Sequence, residues 1–149
     1  MLFTLAALLV AADPVPPSAP IFKLIGTERV GERYRLTFEV TNPNADPMPY
    51  FGYTADSFQP KIPDGQICPL YQIQLRDEKE WKSHQPGWCK TGVGPVSIPA
   101  KGTVTFEAHV PADGWREVRV GLRWSENPKA KSQTAWSSAV DRKDIKAGK

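Results

Sequence analysis

The chain has 149 residues, 40% hydrophobic and 23% charged, with 15 prolines and 11 glycines. That balance describes one turn-rich globular domain, favours β structure over a helix bundle, and excludes a disordered polymer. Nineteen basic against sixteen acidic residues leave a net charge of +3. The basic residues are scattered rather than gathered into a stripe, so no nucleic-acid partner is expected.

Residues 1–12, MLFTLAALLVAA, form an apolar run ending in small side chains, and Asp13-Pro14 breaks it. Val10-Ala11-Ala12 suits a signal-peptidase site, which predicts cleavage before Asp13 and a secreted or periplasmic product. No Lys or Arg precedes the run, unlike the usual export signal; the competing reading is a buried N-terminal strand. The run is too short to cross a bilayer, which takes about 20 apolar residues. Residues 13–20, DPVPPSAP, read as an extended proline-rich leader.

From Ile21 onward the dominant signal has a period of two, as a half-buried strand requires. Tyr34, Leu36, Phe38 and Val40 alternate with Arg33, Arg35, Thr37 and Glu39. The alternation returns at Tyr71, Ile73 and Leu75 against Gln72, Gln74 and Arg76. It recurs at Val104, Phe106, Ala108 and Val110, and again at Val118, Val120, Leu122 and Trp124. Weaker strand signals cover 21–27, 48–54, 80–83, 94–98 and 133–140. Turn signatures such as Val30-Gly31-Glu32, Asn42-Pro43-Asn44 and Pro99-Ala100-Lys101-Gly102 separate them.

Short strands with one apolar face each are satisfied by two antiparallel sheets packed face to face. The expected fold is therefore an all-β, two-sheet antiparallel, immunoglobulin-like β-sandwich of about seven to nine strands over residues 21–140; a closed barrel would satisfy the same alternation. Residues 141–149 read as a charged, solvated tail. Segments 21–27 and 133–140, with lysines in or before them, are the expected edges, and their charge predicts a monomer.

Two cysteines in an exported chain of this size predict one disulfide, Cys68–Cys89. Closing the 20 residues between them would stabilise the fold by roughly 3 kcal/mol in the loop-entropy model. Zinc ligation by Cys68, Cys89 and His84 lacks the short paired spacing of zinc sites, so no metal is expected. No cofactor is expected either, since Gly92-Val93-Gly94-Pro95 lacks the third glycine and the lysine of a phosphate cradle.

Catalytic patterns are sparse. The only histidines are His84 and His109; His109 lies on the polar side of its strand, and Ser83 beside His84 has no nucleophile-elbow context. Asp56, Asp64, Asp77, Glu78 and Glu80 offer carboxylates for glycoside hydrolysis, but their spacing is that of ordinary loop acids. The chain is therefore expected not to be an enzyme.

Six aromatic residues, Tyr50, Phe51, Tyr53, Phe58, Trp81 and Trp88, fall between 50 and 88. Exposed together, they would form a platform for a carbohydrate or a protein; buried, they cap one end of the core. Trp88, beside Cys89, suggests a ring packed on the bridge, and Trp124 and Trp136 are expected to pair across a hairpin.

The segments RLTFEVTNPNADPMPYF (35–51), IPAKGTVTFEAHVP (98–111) and VRVGLRW (118–124) resemble strands and turns of immunoglobulin-like, fibronectin-III-like domains in exported bacterial proteins. The resemblance implies a sandwich that adheres, binds carbohydrate or inhibits, and it transfers no functional residues. The cysteine spacing departs from the inter-sheet bridge of antibody domains. The leading expectation is a non-enzymatic, exported binding module. The alternatives are an inhibitor of an extracellular protease presenting residues 58–69, and a carbohydrate-active domain.

Overall fold

The structure, a computed structural model, describes residues 17–57, 61–89 and 91–145. The leader ahead of Pro17, the export signal before it, and Phe58 lie outside the described residues. Among the described residues eleven strands build the fold: β1 (Ile21–Val30), β2 (Arg33–Thr41), β3 (Met48–Tyr53), β4 (Cys68–Pro69), β5 (Gln72–Arg76), β6 (Lys82–His84), β7 (Val93–Ile98), β8 (Thr103–Pro111), β9 (Glu117–Trp124), β10 (Gln133–Trp136) and β11 (Val140–Asp141).

They form two antiparallel sheets. The smaller has the order β1-β2-β8, and the larger follows β4-β3-β9-β5-β6 with β7 on β3 and both β10 and β11 on β9. Strand β9 is the hub of the larger sheet. Gly121 lies between Gln72 of β5 and Trp136 of β10, while Trp124 lies between Tyr50 of β3 and Gln133.

The alternation in the sequence becomes the core. Tyr34, Leu36, Phe38 and Val40 of β2 and Val104, Phe106, Ala108 and Val110 of β8 face Met48, Tyr50, Ile73, Val118, Val120, Leu122 and Trp124 of the larger sheet, all buried. Full burial of each large aliphatic or aromatic side chain contributes on the order of 1.5–3 kcal/mol. Phe38 stacks on Phe106 at 5.6 Å, and Phe22 of β1 meets both rings edge-on. Gly31, at φ 60°, makes the two-residue turn that joins β1 to β2, a conformation glycine adopts without steric cost.

One buried polar side chain ties a loop to this core. Asn42, fully buried at the end of β2, donates its amide to the carbonyls of Asp46, Ile98 and Pro99 and accepts from the Asn44 N–H. The two sheets are linked by residues 65–67. Thr105 N donates to Gly65 O and Ile67 N to Thr105 O, so this segment lines the free edge of β8 before entering β4 of the other sheet.

Three expectations are corrected. Residues beyond 140 are not all a solvated tail, because β11 pairs with β9, a 3-10 turn follows at Arg142–Asp144, and Ile145 is buried against the core. Trp124 and Trp136 do not pair. The loop 125–132 sets a register that puts Trp124 opposite Gln133 and Trp136 opposite Gly121, so Trp124 is buried and Trp136 lies on the outer face.

The third correction concerns the Cys68–Cys89 bridge: both residues are free thiols. Cys68 sits half-buried in β4 opposite Tyr53, whereas Cys89 is exposed and directs its Sγ to Thr91 Oγ1 at 3.7 Å.

Candidate functional site

Strands β5, β9 and β10 present their second set of side chains on the outer face of the larger sheet. Gln72, Gly121 and Trp136 stand in one cross-strand row, Gln74 and Arg119 in the next, and Arg123 beside Thr134 on the other side. Phe51 projects from β3 and is 55% exposed. Of these, Gln72, Gln74, Arg123, Trp136 and Phe51, together with Trp88, Val93 and residues 83–86, line a groove of about 690 Å³. That volume lies within the range of small-ligand sites.

Gly121 makes the groove floor low. A Cβ there would come within 2.9 Å of the Trp136 ring and 2.8 Å of Thr134 Cγ2, closer than carbon atoms pack. Without it, the indole lies down across the sheet.

Trp136 is also held from its side. Arg119 stacks over Trp136 at 4.8 Å and over Trp81 at 4.5 Å, and Arg76 stacks over Trp81 at 4.5 Å. Each guanidinium is oriented by a second contact. Arg119 donates Nε and a terminal nitrogen to Gln74 Oε1 at 2.8 and 2.6 Å, and Arg76 pairs with Glu117 at 2.5 Å. Such cation–π contacts contribute about 0.5–1 kcal/mol each when exposed. The alternating Arg76, Trp81, Arg119, Trp136 ladder therefore fixes the wall of the groove.

The glutamine carbonyls are occupied on the sheet, since Gln72 Oε1 accepts from Thr134 and Gln74 Oε1 accepts from Arg119. Their Nε2 donors make no hydrogen bond among the described residues and are not buried. Each therefore offers two N–H groups to an occupant of the groove.

The six aromatics divide rather than form one platform. Tyr50 and Tyr53 are buried, and burial raises both phenols above the ordinary range. Tyr53 donates its hydroxyl to the Cys89 carbonyl. Trp88 is half-buried, edge-on to Tyr71 at 4.6 Å and bonded to the Tyr71 carbonyl through Nε1 at 3.2 Å. It packs on Tyr71 and Tyr53 where a sulfur bridge was expected. Trp81 serves the ladder, and Phe51 alone of the described five stands mostly exposed.

The residues that complete the groove, Trp136, Gln72, Gln74 and Arg123, were not among the sequence candidates. A glycine interrupting the polar side of an otherwise regular strand, Arg119-Val120-Gly121-Leu122-Arg123, is the signal that marks them.

The candidate hydrolytic acids stand elsewhere. Asp56 pairs with Lys61 on the surface, Asp64 sits in an exposed turn, and Asp77, Glu78 and Glu80 lie in the turn between β5 and β6. None lines the groove. Among the described residues, no three His, Cys, Asp or Glu side chains gather as a metal-binding group.

No protein-family model matches the chain, and no curated protein matches it.

Proposed function

We propose that the protein is a non-enzymatic, exported binding module of immunoglobulin-like type that holds its ligand in the groove on the outer face of the larger sheet. The observation that carries this proposal is the groove itself: rings at its walls, unoccupied amide donors on its floor, and a cation–π ladder that holds one wall in place before any ligand arrives. Preorganisation of this kind lowers the ordering cost of association.

Among the described residues the lining carries no carboxylate, so the paired-acid route to glycoside hydrolysis finds neither its acid nor its base among them. The protease-inhibitor reading needs a projecting rigid loop, and residues 65–69 are instead drawn into both sheets. The export part of the proposal rests on the apolar run at residues 1–12, because the free thiols remove the support a disulfide would have lent.

The test is a two-dimensional NMR titration of the full chain with hits from arrayed glycans and peptides. Shifts confined to Phe51, Gln72, Gln74, Arg123 and Trp136 are expected. A hit that binds tightly but perturbs only the β1 edge, or an array without hits, would refute the groove as the site. Intact mass after expression in an exporting host tests cleavage before Asp13.

A further inference from the structure

We infer that the occupant of the groove is an acidic saccharide, a sugar chain carrying a carboxylate that docks at Arg123. The inference rests on the binding role proposed above and adds the class of ligand.

Three observations converge on it. First, Phe51 and Trp136 give the groove flat aromatic surface. A pyranose ring has faces made of C–H groups, and these cover an aromatic ring well while its equatorial hydroxyls remain free at the rim. An extended peptide would instead seek an open strand edge for its backbone; the terminal strand β6 lines one side of the groove, but the floor is the face of a sheet whose main-chain groups are already paired across β5, β9 and β10.

Second, the polar groups available are those that suit hydroxyls. Gln72 and Gln74 keep their oxygens on the sheet and present Nε2 donors, which meet the lone pairs of sugar hydroxyl oxygens. Planar amides two residues apart on the outer face of β5 reach neighbouring oxygens without rearrangement.

Third, the charge is one-sided. Arg123 is exposed and makes its side-chain hydrogen bond to Ser132 Oγ at 2.7 Å. Among the described residues it has no carboxylate partner. Arg35, Arg76 and Arg142 each face a glutamate or aspartate, and of the described arginines without such a partner Arg123 is the one that lines the groove. With a guanidinium free of any ion pair and no acid in the lining among the described residues, the groove complements an anion, and a guanidinium binds a carboxylate through two parallel N–H···O contacts.

The test is calorimetric titration of the full chain with a uronate oligosaccharide, tetragalacturonate, against the neutral cellotetraose, at low and at near-physiological salt. The uronate is expected to bind at least tenfold more tightly. Arg123→Gln should abolish that preference while leaving the urea midpoint unchanged. Arg33→Gln, at an exposed arginine on the other sheet, should leave the preference intact. Phe51→Ala, at an exposed ring, should weaken both saccharides tenfold or more.

Equal binding of the two sugars, or a uronate preference lost equally in Arg33→Gln, overturns the acidic-saccharide inference and leaves the groove as a binding site. Failure of both sugars with a peptide shifting the Phe51 and Trp136 resonances overturns it in the same way. If no probe perturbs the groove at all, this inference and the binding-module reading fall together.

Discussion

Replacing Gly121 with alanine tests whether the groove is built on the absence of one methyl group. The new Cβ would lie 2.8 Å from Thr134 Cγ2 and 2.9 Å from Trp136 Cε3 and Cζ3. Comfortable carbon contacts are about 3.5–4.0 Å, so the indole must retreat by roughly 0.6 Å or more. Overpacking costs about 1–3 kcal/mol in cores, and a half-exposed ring that can yield belongs near the low end. Displacement of Trp136 also weakens its contact with Arg119, worth about 0.5–1 kcal/mol. Against this, the φ of Gly121 is not positive, so alanine restricts the unfolded chain and returns about 0.4–1 kcal/mol. The expected net loss is about 0.5–1.5 kcal/mol, read as a lowered urea midpoint with an altered near-ultraviolet tryptophan signal. Combining Gly121→Ala with Trp136→Leu should relieve the clash, giving a coupling of about 1 kcal/mol in a double-mutant cycle. Strict additivity, or a more stable Gly121→Ala protein with an unchanged tryptophan spectrum, would refute the packing argument.

Asn42→Asp replaces three amide donations from a fully buried side chain, to the carbonyls of Asp46, Ile98 and Pro99, with an acceptor-only carboxylate, and should cost roughly 2–4 kcal/mol in urea unfolding at neutral pH; a loss of about 0.5 kcal/mol or less would contradict the role given to that side chain. Cys89 is exposed, and hydrogen bonding with the Thr91 backbone and hydroxyl lowers its thiol below the ordinary value, whereas burial raises Cys68. Iodoacetamide near neutral pH should therefore label Cys89 first, by about tenfold or more in rate; peptide mapping that finds Cys68 labelled first would reverse the assignment. The Asp141 carboxyl is held below its usual value chiefly by accepting the Lys143 N–H. Its ionised form is favoured in the fold, so its contribution is complete above the ordinary carboxylate value and disappears as pH falls through the lowered one. Hydrogen exchange at the Lys143 amide should accelerate relative to its intrinsic rate on acidification and lose that pH dependence in Asp141→Asn; protection that does not change across the range would count against the cap.

The parts of the fold legible in the sequence are those where many residues repeat one instruction. In β2, β5, β8 and β9 each inward side chain sits two residues from the next, and a shift of one residue would expose the whole set. The groove was harder to find because it depends on register between strands, which no single segment encodes. Trp136 belongs to a four-residue strand whose placement follows from the loop 125–132, where Asn127 accepts from the Ala130 and Lys129 N–H groups through its carbonyl and side chain. A hairpin of slightly different length would have paired Trp124 with Trp136 as expected. The aromatic cluster misled for a related reason: composition counts rings, but strand parity sends Tyr50 inward and Phe51 outward. Cysteine count likewise says nothing about which way two sulfurs turn.

The place of β9 at the centre of the larger sheet also bears on how the chain is made. Its partners β3, β5, β10 and β11 come from residue 48 to residue 141, and β2 must wait for β8, some seventy positions later, to gain its second neighbour. A polypeptide emerging from the ribosome can therefore close neither layer until most of it has been synthesised, since pairings between distant segments form late. Until then its apolar alternation stays unsatisfied, leaving the nascent chain dependent on whatever holds it. That delay postpones assembly of the groove until the last strands are made, and it is compatible with the loose chain that the proposed route of export would need.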